Sequence, residues 1–352
     1  MLFIEISRNI RKFTILLLFA IAILISCTSN QNIPNEIYQE EFLFNTLFSV
    51  RIFGEENGDA QADCDSLFDL LRAIENSTNF YDSSSSLGIL NKQLLKKASV
   101  KITDPFLMEV LRMGLNVFNI SEGGFDPTIG KISGLWPFGA DQPILPDPKI
   151  IRENLQWVNS NRIRLTDDGL QTETVLFQID LSAVNKGFAV EKAVQWLADR
   201  GYENVIVDAG GNLGIRWNRT DSIEIFIRHP ENPGKMIGSF FINHSTAIAT
   251  SGDYMNYFEI DGKRYHHILD PMTGYPSDSA SSVTIITQNA GLADGLATGL
   301  FTKGITYGLT WCNNHPHTTG IFIRADINAI FISKTDKLHF SLLDSSYRIE
   351  YR

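Results

Sequence analysis

VIVDAGGNLG, residues 205–214, is a short apolar strand running into a glycine-rich turn. Such a junction invites comparison with the dinucleotide-binding fingerprint, in which glycines open a helix that receives a pyrophosphate. Here the glycines are wrongly spaced and no suitable helix follows, so a doubly wound nucleotide-binding sheet is rejected. Instead residues 223–228, 238–242, 247–250, 254–260 and 283–287 alternate or run apolar, as strands do, and residues 321–324 with 329–333 read as a closing hairpin. Upstream, residues 185–199 have helical spacing and stop at Gly201, a common helix terminator.

Further toward the N-terminus, residues 42–53 read as one aromatic-rich strand and residues 60–74 as an amphipathic helix. A serine-rich loop is expected over 79–91, and a helix over 106–120 behind the start signal Thr103-Asp104-Pro105. Residues 121–139 read as a Gly- and Pro-rich loop. Strands are expected at 154–158, 162–165 and 174–181, with Asp168-Gly169 turning between the last two. Residues 292–301 close the helix inventory. Strands mostly neighbour strands, with no regular βα alternation. This predicts an α+β fold, mixed and largely antiparallel, with interleaved helices in a single compact domain.

The 352-residue chain is 43% hydrophobic and 20% charged, with a formal net charge of −10; a basic footprint for nucleic acid is absent. Residues 1–26 place Arg8, Arg11 and Lys12 before an apolar run ending Leu24-Ile25-Ser26-Cys27. This is the pattern of a signal peptide with a lipobox, so lipidation is expected at Cys27. Residues 27–40 read as a tether and residues 41–352 as the folded domain. The expected location is the bacterial cell envelope, with the domain anchored by lipid on the periplasmic or outer side of a membrane. Cys64 and Cys312 are expected to be unpaired thiols.

Several constellations could carry chemistry. Asp294 and Thr298 stand four apart on one helix face; oxygen ligands of this kind suit Mg²⁺, although an Asp near a helix start can also simply favour the helix dipole. Asp180 ends a strand and Lys186 opens a helix. A Lys there is locally unfavourable unless an anion such as a pyrophosphate sits between it and the helix terminus; a solvated Lys on a helix face is the alternative. Gly124-Phe125-Asp126-Pro127 and Tyr81 offer rings, and in the former a carboxylate, to a flat ligand. In YHHILDPMTGYP, residues 265–276, His266 and His267 are adjacent, so at most one faces a site and the other is structural.

In order and spacing, YDSSSSLGILN, GGFDPTIG, LWPFG, IDLSAVNKGFAVEKA, VDAGGNLG, TSGDY, YHHILDPMTGYP and ADGLAT resemble the motifs of the ApbE family, the Mg²⁺-dependent FAD:protein FMN transferases. The likeness runs from about residue 42 to about residue 340. It implies splitting of FAD at its pyrophosphate, attachment of FMN by a phosphoester to a Thr or Ser of a target redox protein, and release of AMP. It places FAD contacts at Tyr81, Gly124, Phe125, Asp126, Asp180, Lys186 and Ile268. It places metal ligands at Asp294, Thr298 and the carbonyl of Ala183. His267 or Asp270 is the expected general base. An FAD pyrophosphatase and a non-catalytic FAD-binding lipoprotein are the alternatives. The chain departs from the family pattern at Phe44-Asn45 in place of Met-Gly, at Asn185, at Gly88-Ile89 and at Ser86.

Overall fold

The computed structural model describes residues 36–54, 59–334 and 338–352. The expected signal peptide and Cys27 lie outside these residues. Nine strands form the main sheet and lie side by side in the order in which they occur in the chain. They are Glu36–Leu43, Thr46–Phe53, Val205–Ala209, Asn212–Arg216, Thr246–Gly252, Ser282–Thr287, Thr319–Arg324, Ala329–Ile332 and Arg348–Tyr351. Every neighbouring pair is antiparallel except the last, where Ala329–Ile332 runs parallel to Arg348–Tyr351. The fold is thus the mixed, mainly antiparallel α+β arrangement expected.

Alternation along the strands sends side chains to two different cores. Val205, Val207 and Ala209 face a helical layer, while Ile206 joins Ile215, Ile248, Ile321 and Ile330 on the other face. That second face is covered by a small sheet containing Ile223–Arg228, Met236–Ile242 and Ser341–Leu342. The helical layer includes Ala60–Thr78, Pro105–Ile120, Asn185–Ala198 and Ala290–Lys303. Most of it is inserted between the second and third strands of the main sheet.

Ala290–Lys303 is buried nearly all round, so it carries no polar face to guide a periodicity argument. Its Gly291, Gly295 and Gly299 form a stripe four residues apart. A Cβ on any of them would collide with Met113, Val117 or Ser121 respectively, side chains spaced by the same four residues on Pro105–Ile120. The two helices therefore interlock ridge into groove at unusually short range. This contact leaves Asp294 and Thr298 on a different stripe from the glycines.

Several local expectations are corrected. Residues 42–53 are not one strand: Phe44 (φ 51°) and Asn45 (φ 57°) both turn left-handed, closing a tight hairpin between Glu36–Leu43 and Thr46–Phe53. Residues 36–40, expected in the tether, belong to its first strand. Residues 154–158 are not a strand, because Asp147 caps and Pro148 opens a helix, Pro148–Leu155. Ser85 caps another helix, Ser86–Leu94, inside the expected serine loop, accepting from Gly88 N–H. Gly169–Thr172 is the strand that pairs with Ile163–Leu165, and residues 174–181 have no sheet partners, bending at 174–175 and turning left-handed at Leu176 (φ 78°). Cys64 and Cys312 are both buried.

Candidate active site

The helix Asn185–Ala198 begins behind Val184, which provides no side-chain cap. Its first-turn N–H groups need acceptors from elsewhere. Asp294 supplies one from the neighbouring helix: its Oδ2 accepts from Gly187 N–H at 2.8 Å. The approach requires glycine, since a Cβ at 187 would lie 2.3 Å from the Ala290 carbonyl oxygen and 2.6 Å from Asp294 Cβ. The arrangement is reciprocal. Glu191 of the first helix accepts from Asn289 Nδ2 (2.7 Å) and Gly291 N–H (3.3 Å), where the second helix starts. Asp294 thus serves a helix dipole, but that of its neighbour.

Asp294 is only 4% exposed. Burial raises its pKa, while Lys186, the Gly187 N–H and the Asn212 amide act in the opposite direction. Asn212 Nδ2 nonetheless makes no hydrogen bond of normal geometry, and is left as a buried orphan donor. A buried carboxylate with spare acceptor capacity has an unmet demand for positive charge. On the same helix, Thr298 Oγ1 lies 3.0 Å from Ser251 Oγ. Ala183 sits in the turn just before the first helix. A carboxylate, a hydroxyl and a carbonyl make a hard oxygen donor set that fits Mg²⁺.

His266 ends the strand Lys263–His266 and His267 lies in the bend after it, and the two rings have different surroundings. His266 is buried; its Nε2 is 2.8 Å from the Ser277 carbonyl and its Nδ1 accepts from Ile268 N–H at 3.3 Å. Burial pushes its pKa down to about 4. It therefore acts as a neutral structural bracket that fixes the backbone of Ile268. The His267 ring is open to solvent but sits where protein crowds around it. That crowding, and then the positive charge of Lys186, hold its pKa at about 4. Lys186 thus acts electrostatically on His267 and on Asp294 alike.

Asp270 is differently employed. Its carboxylate accepts from Met272 N–H (2.8 Å) and Thr273 Oγ1 (3.2 Å), bracing the turn that follows. Trp136 secures that turn from outside, donating Nε1–H to the Gly274 carbonyl at 3.0 Å.

The remaining predicted residues lie on other segments. Gly124 is pressed against the central helix, its carbonyl accepting from Thr302 Oγ1 at 2.6 Å. Phe125 is buried. Asp126 is buried too, and its carboxylate accepts from Thr128 N–H, Thr128 Oγ1, Ser160 N–H and Ser160 Oγ. That carboxylate is spent on joining loops, a role the sequence did not reveal. Asp180 is buried, with Oδ1 accepting from Ser182 N–H at 2.9 Å. Tyr81 is 76% exposed; its backbone N–H is held by Asn79 Oδ1 at 2.9 Å. Crowding and then the Asp180 charge push its pKa up to about 12. Sequence reasoning did not identify Asn212 or Gly187 as site residues, although both stand inside its quoted motifs.

A helix start without its own side-chain cap, the buried Asp294 carboxylate and the charge of Lys186 come together beside a mainly antiparallel sheet. The ApbE family model matches residues 44–323, and the chain belongs to that family. It is 29% identical over 310 residues to the FAD:protein FMN transferase of Treponema pallidum, covering 83% of this chain and 85% of that one. The crystal structure of the ApbE protein from Thermotoga maritima superposes with a TM-score of 0.78 at 26% identity, covering 86% of this chain and 98% of that one. A mutant of the flavin transferase ApbE from Vibrio cholerae gives 0.75 at 26% identity, covering 86% and 99%.

Proposed function

We propose that this protein transfers FMN from FAD to a Thr or Ser hydroxyl of a target redox protein, releasing AMP, with Mg²⁺ as cofactor. The observation that carries this reading is the buried Asp294 carboxylate, shared between the Gly187 amide and the field of Lys186 beside Thr298. Mg²⁺ held by Asp294, Thr298 and the Ala183 carbonyl would neutralise charge on the pyrophosphate oxygens. Lys186 and the amides at the start of its helix would bind and orient the same phosphates. Tyr81, Phe125 and Ile268 would line the flavin nucleotide pocket with Asp180, and residues 124–126 would shape it through their backbone.

In the transfer, the acceptor hydroxyl oxygen forms a bond to the FMN-side phosphorus. The bond from that phosphorus to the bridging oxygen breaks, and AMP departs with that oxygen. The hydroxyl proton passes to a base. His267 suits this task better than Asp270, because its ring is neutral and reachable, whereas both Asp270 oxygens brace a turn. The Lys186 charge that depresses His267 would be offset by bound pyrophosphate, raising His267 toward the range of an effective base. A lipid anchor at Cys27 would place this chemistry at the bacterial envelope.

The test is incubation with FAD, Mg²⁺ and a candidate acceptor domain, followed by mass spectrometry for covalently added FMN. Asp294→Ala should abolish the addition; Mg²⁺-dependent flavinylation that survives would refute the metal assignment. AMP and free FMN formed equally well without acceptor would instead establish a pyrophosphatase.

A further inference from the structure

Tyr81 and Asp180 are far apart in sequence, yet one short helix ties the turn that carries the first to the backbone beside the second. At its start, Ser85 Oγ donates to the Asn79 and Asp82 carbonyls, at 2.6 and 2.8 Å, and so closes the turn that carries Tyr81. Within Ser86–Leu94, the buried Asn91 donates Nδ2–H to the Ile179 carbonyl at 2.8 Å. Its Oδ1 accepts from Ile179 N–H at 2.7 Å. Farther along, the Leu94 carbonyl accepts from Leu176 N–H at 2.9 Å.

Residues 174–181 have no sheet partner, so their backbone groups must be satisfied by other means. Asn91 takes the place of a neighbouring strand at Ile179, the residue next to Asp180. On the other side, Asp180 N–H donates to the Pro127 carbonyl at 2.8 Å, and Gly130 N–H to the Gln178 carbonyl at 3.1 Å. The segment is thereby clamped between the helix Ser86–Leu94 and residues 127–130 beyond Phe125.

We infer that Asn91 is a positioning residue for FAD: its amide pair on Ile179 fixes the backbone that carries Asp180 to the helix that follows the Tyr81 turn. This rests on the proposed reading that Asp180 and Tyr81 contact FAD. An amide is the required chemistry, because one planar group must donate and accept on the same backbone residue. Leucine fills a similar volume but leaves Ile179 N–H and C=O unpaired, freeing Asp180 to shift. Aspartate keeps the acceptor but faces the Ile179 carbonyl with a second oxygen.

The experiment is equilibrium titration with FAD, without acceptor, alongside steady-state kinetics with acceptor. It uses wild type, Asn91→Leu, Asn91→Asp, Asp180→Ala and the double variant Asn91→Leu/Asp180→Ala, each with a melting curve. Asn91→Leu should raise the Kd and KM for FAD about tenfold, from loss of the two buried hydrogen bonds. Its kcat at saturating FAD should stay within about twofold, since the phosphate groups are untouched. In the Asp180→Ala background the Asn91→Leu change should add little, because its effect runs through Asp180. Fully additive losses of affinity, or a fall in kcat with unchanged KM, would overturn the inference. If Asn91→Leu does not fold, Asn91→Asp decides: weakened FAD binding supports the inference, and wild-type affinity refutes it. A wild-type protein that neither binds nor turns over FAD would defeat the proposed function instead, so the two failures are distinct.

Discussion

Gly187→Ala adds one methyl group where the two site helices meet. The new Cβ would lie 2.3 Å from the Ala290 carbonyl oxygen. An ordinary contact needs about 1 Å more. Ala290 O is helix backbone and cannot swing aside alone, so the helices must separate. Overpacking of this kind costs about 1–3 kcal/mol. Separation also stretches the 2.8 Å bond from Gly187 N–H to Asp294; a hydrogen bond to a buried charged group contributes about 1.5–3 kcal/mol. The combined loss, about 2.5–6 kcal/mol, should lower Tm by about 4–9 °C. A displacement of about 1 Å at Asp294 should also reduce FMN transfer about 10²-fold. Differential scanning calorimetry and mass-spectrometric flavinylation, the latter run well below the variant's Tm, would measure the two effects separately. Gly134→Ala is the control, since its added Cβ meets an ordinary 3.4 Å contact. A Gly187→Ala protein with wild-type Tm and wild-type transfer would refute rigid coupling between the helix start and Asp294.

Two further outcomes follow from the histidine turn. Folding holds His266 neutral, with a pKa of about 4 against 6.5 when unperturbed. The unfolded chain therefore takes up a proton first as pH falls, and stability present above about pH 6.5 is lost progressively down to about pH 4. The His266 contribution is a loss of about 2 kcal/mol at about pH 5 relative to about pH 8. Urea unfolding should show a smaller acid sensitivity in His266→Gln, and an unchanged pH dependence would refute the assignment. At the neighbouring position, His267→Ala should lower kcat by about 10²–10⁴ with little change in Tm. Asp270→Ala should chiefly lower Tm, because it releases Met272 N–H and Thr273; the reverse pattern in kinetics and melting would exchange their roles.

Many strands following residue 205 were legible because side chains alternate over a few residues, and that periodicity is local; Asn212–Arg216 and Lys263–His266 were not among them. Residues 42–53 misread as one strand because Phe44 and Asn45 lack the glycine that usually marks a tight turn. The serine loop hid a helix because its capping Ser85 is one of four consecutive serines. Pro148 was a visible helix start whose apolar face is narrow, with Ile151 its one buried residue.

The sequence by itself determined the fold class, the family and the residue types of the site, because motif order and short-range periodicity are properties of the chain alone. Tertiary structure decided what those residues do. Asp294 caps a helix begun by a segment more than a hundred residues away, and Asn91 stands in for a missing strand at Ile179. Asp126 joins Thr128 and Ser160. Hydrogen-bond partners of this kind are set by packing between distant segments. A buried carboxylate or amide must find its donors wherever the fold brings them, and no local pattern in the chain records which donors those are.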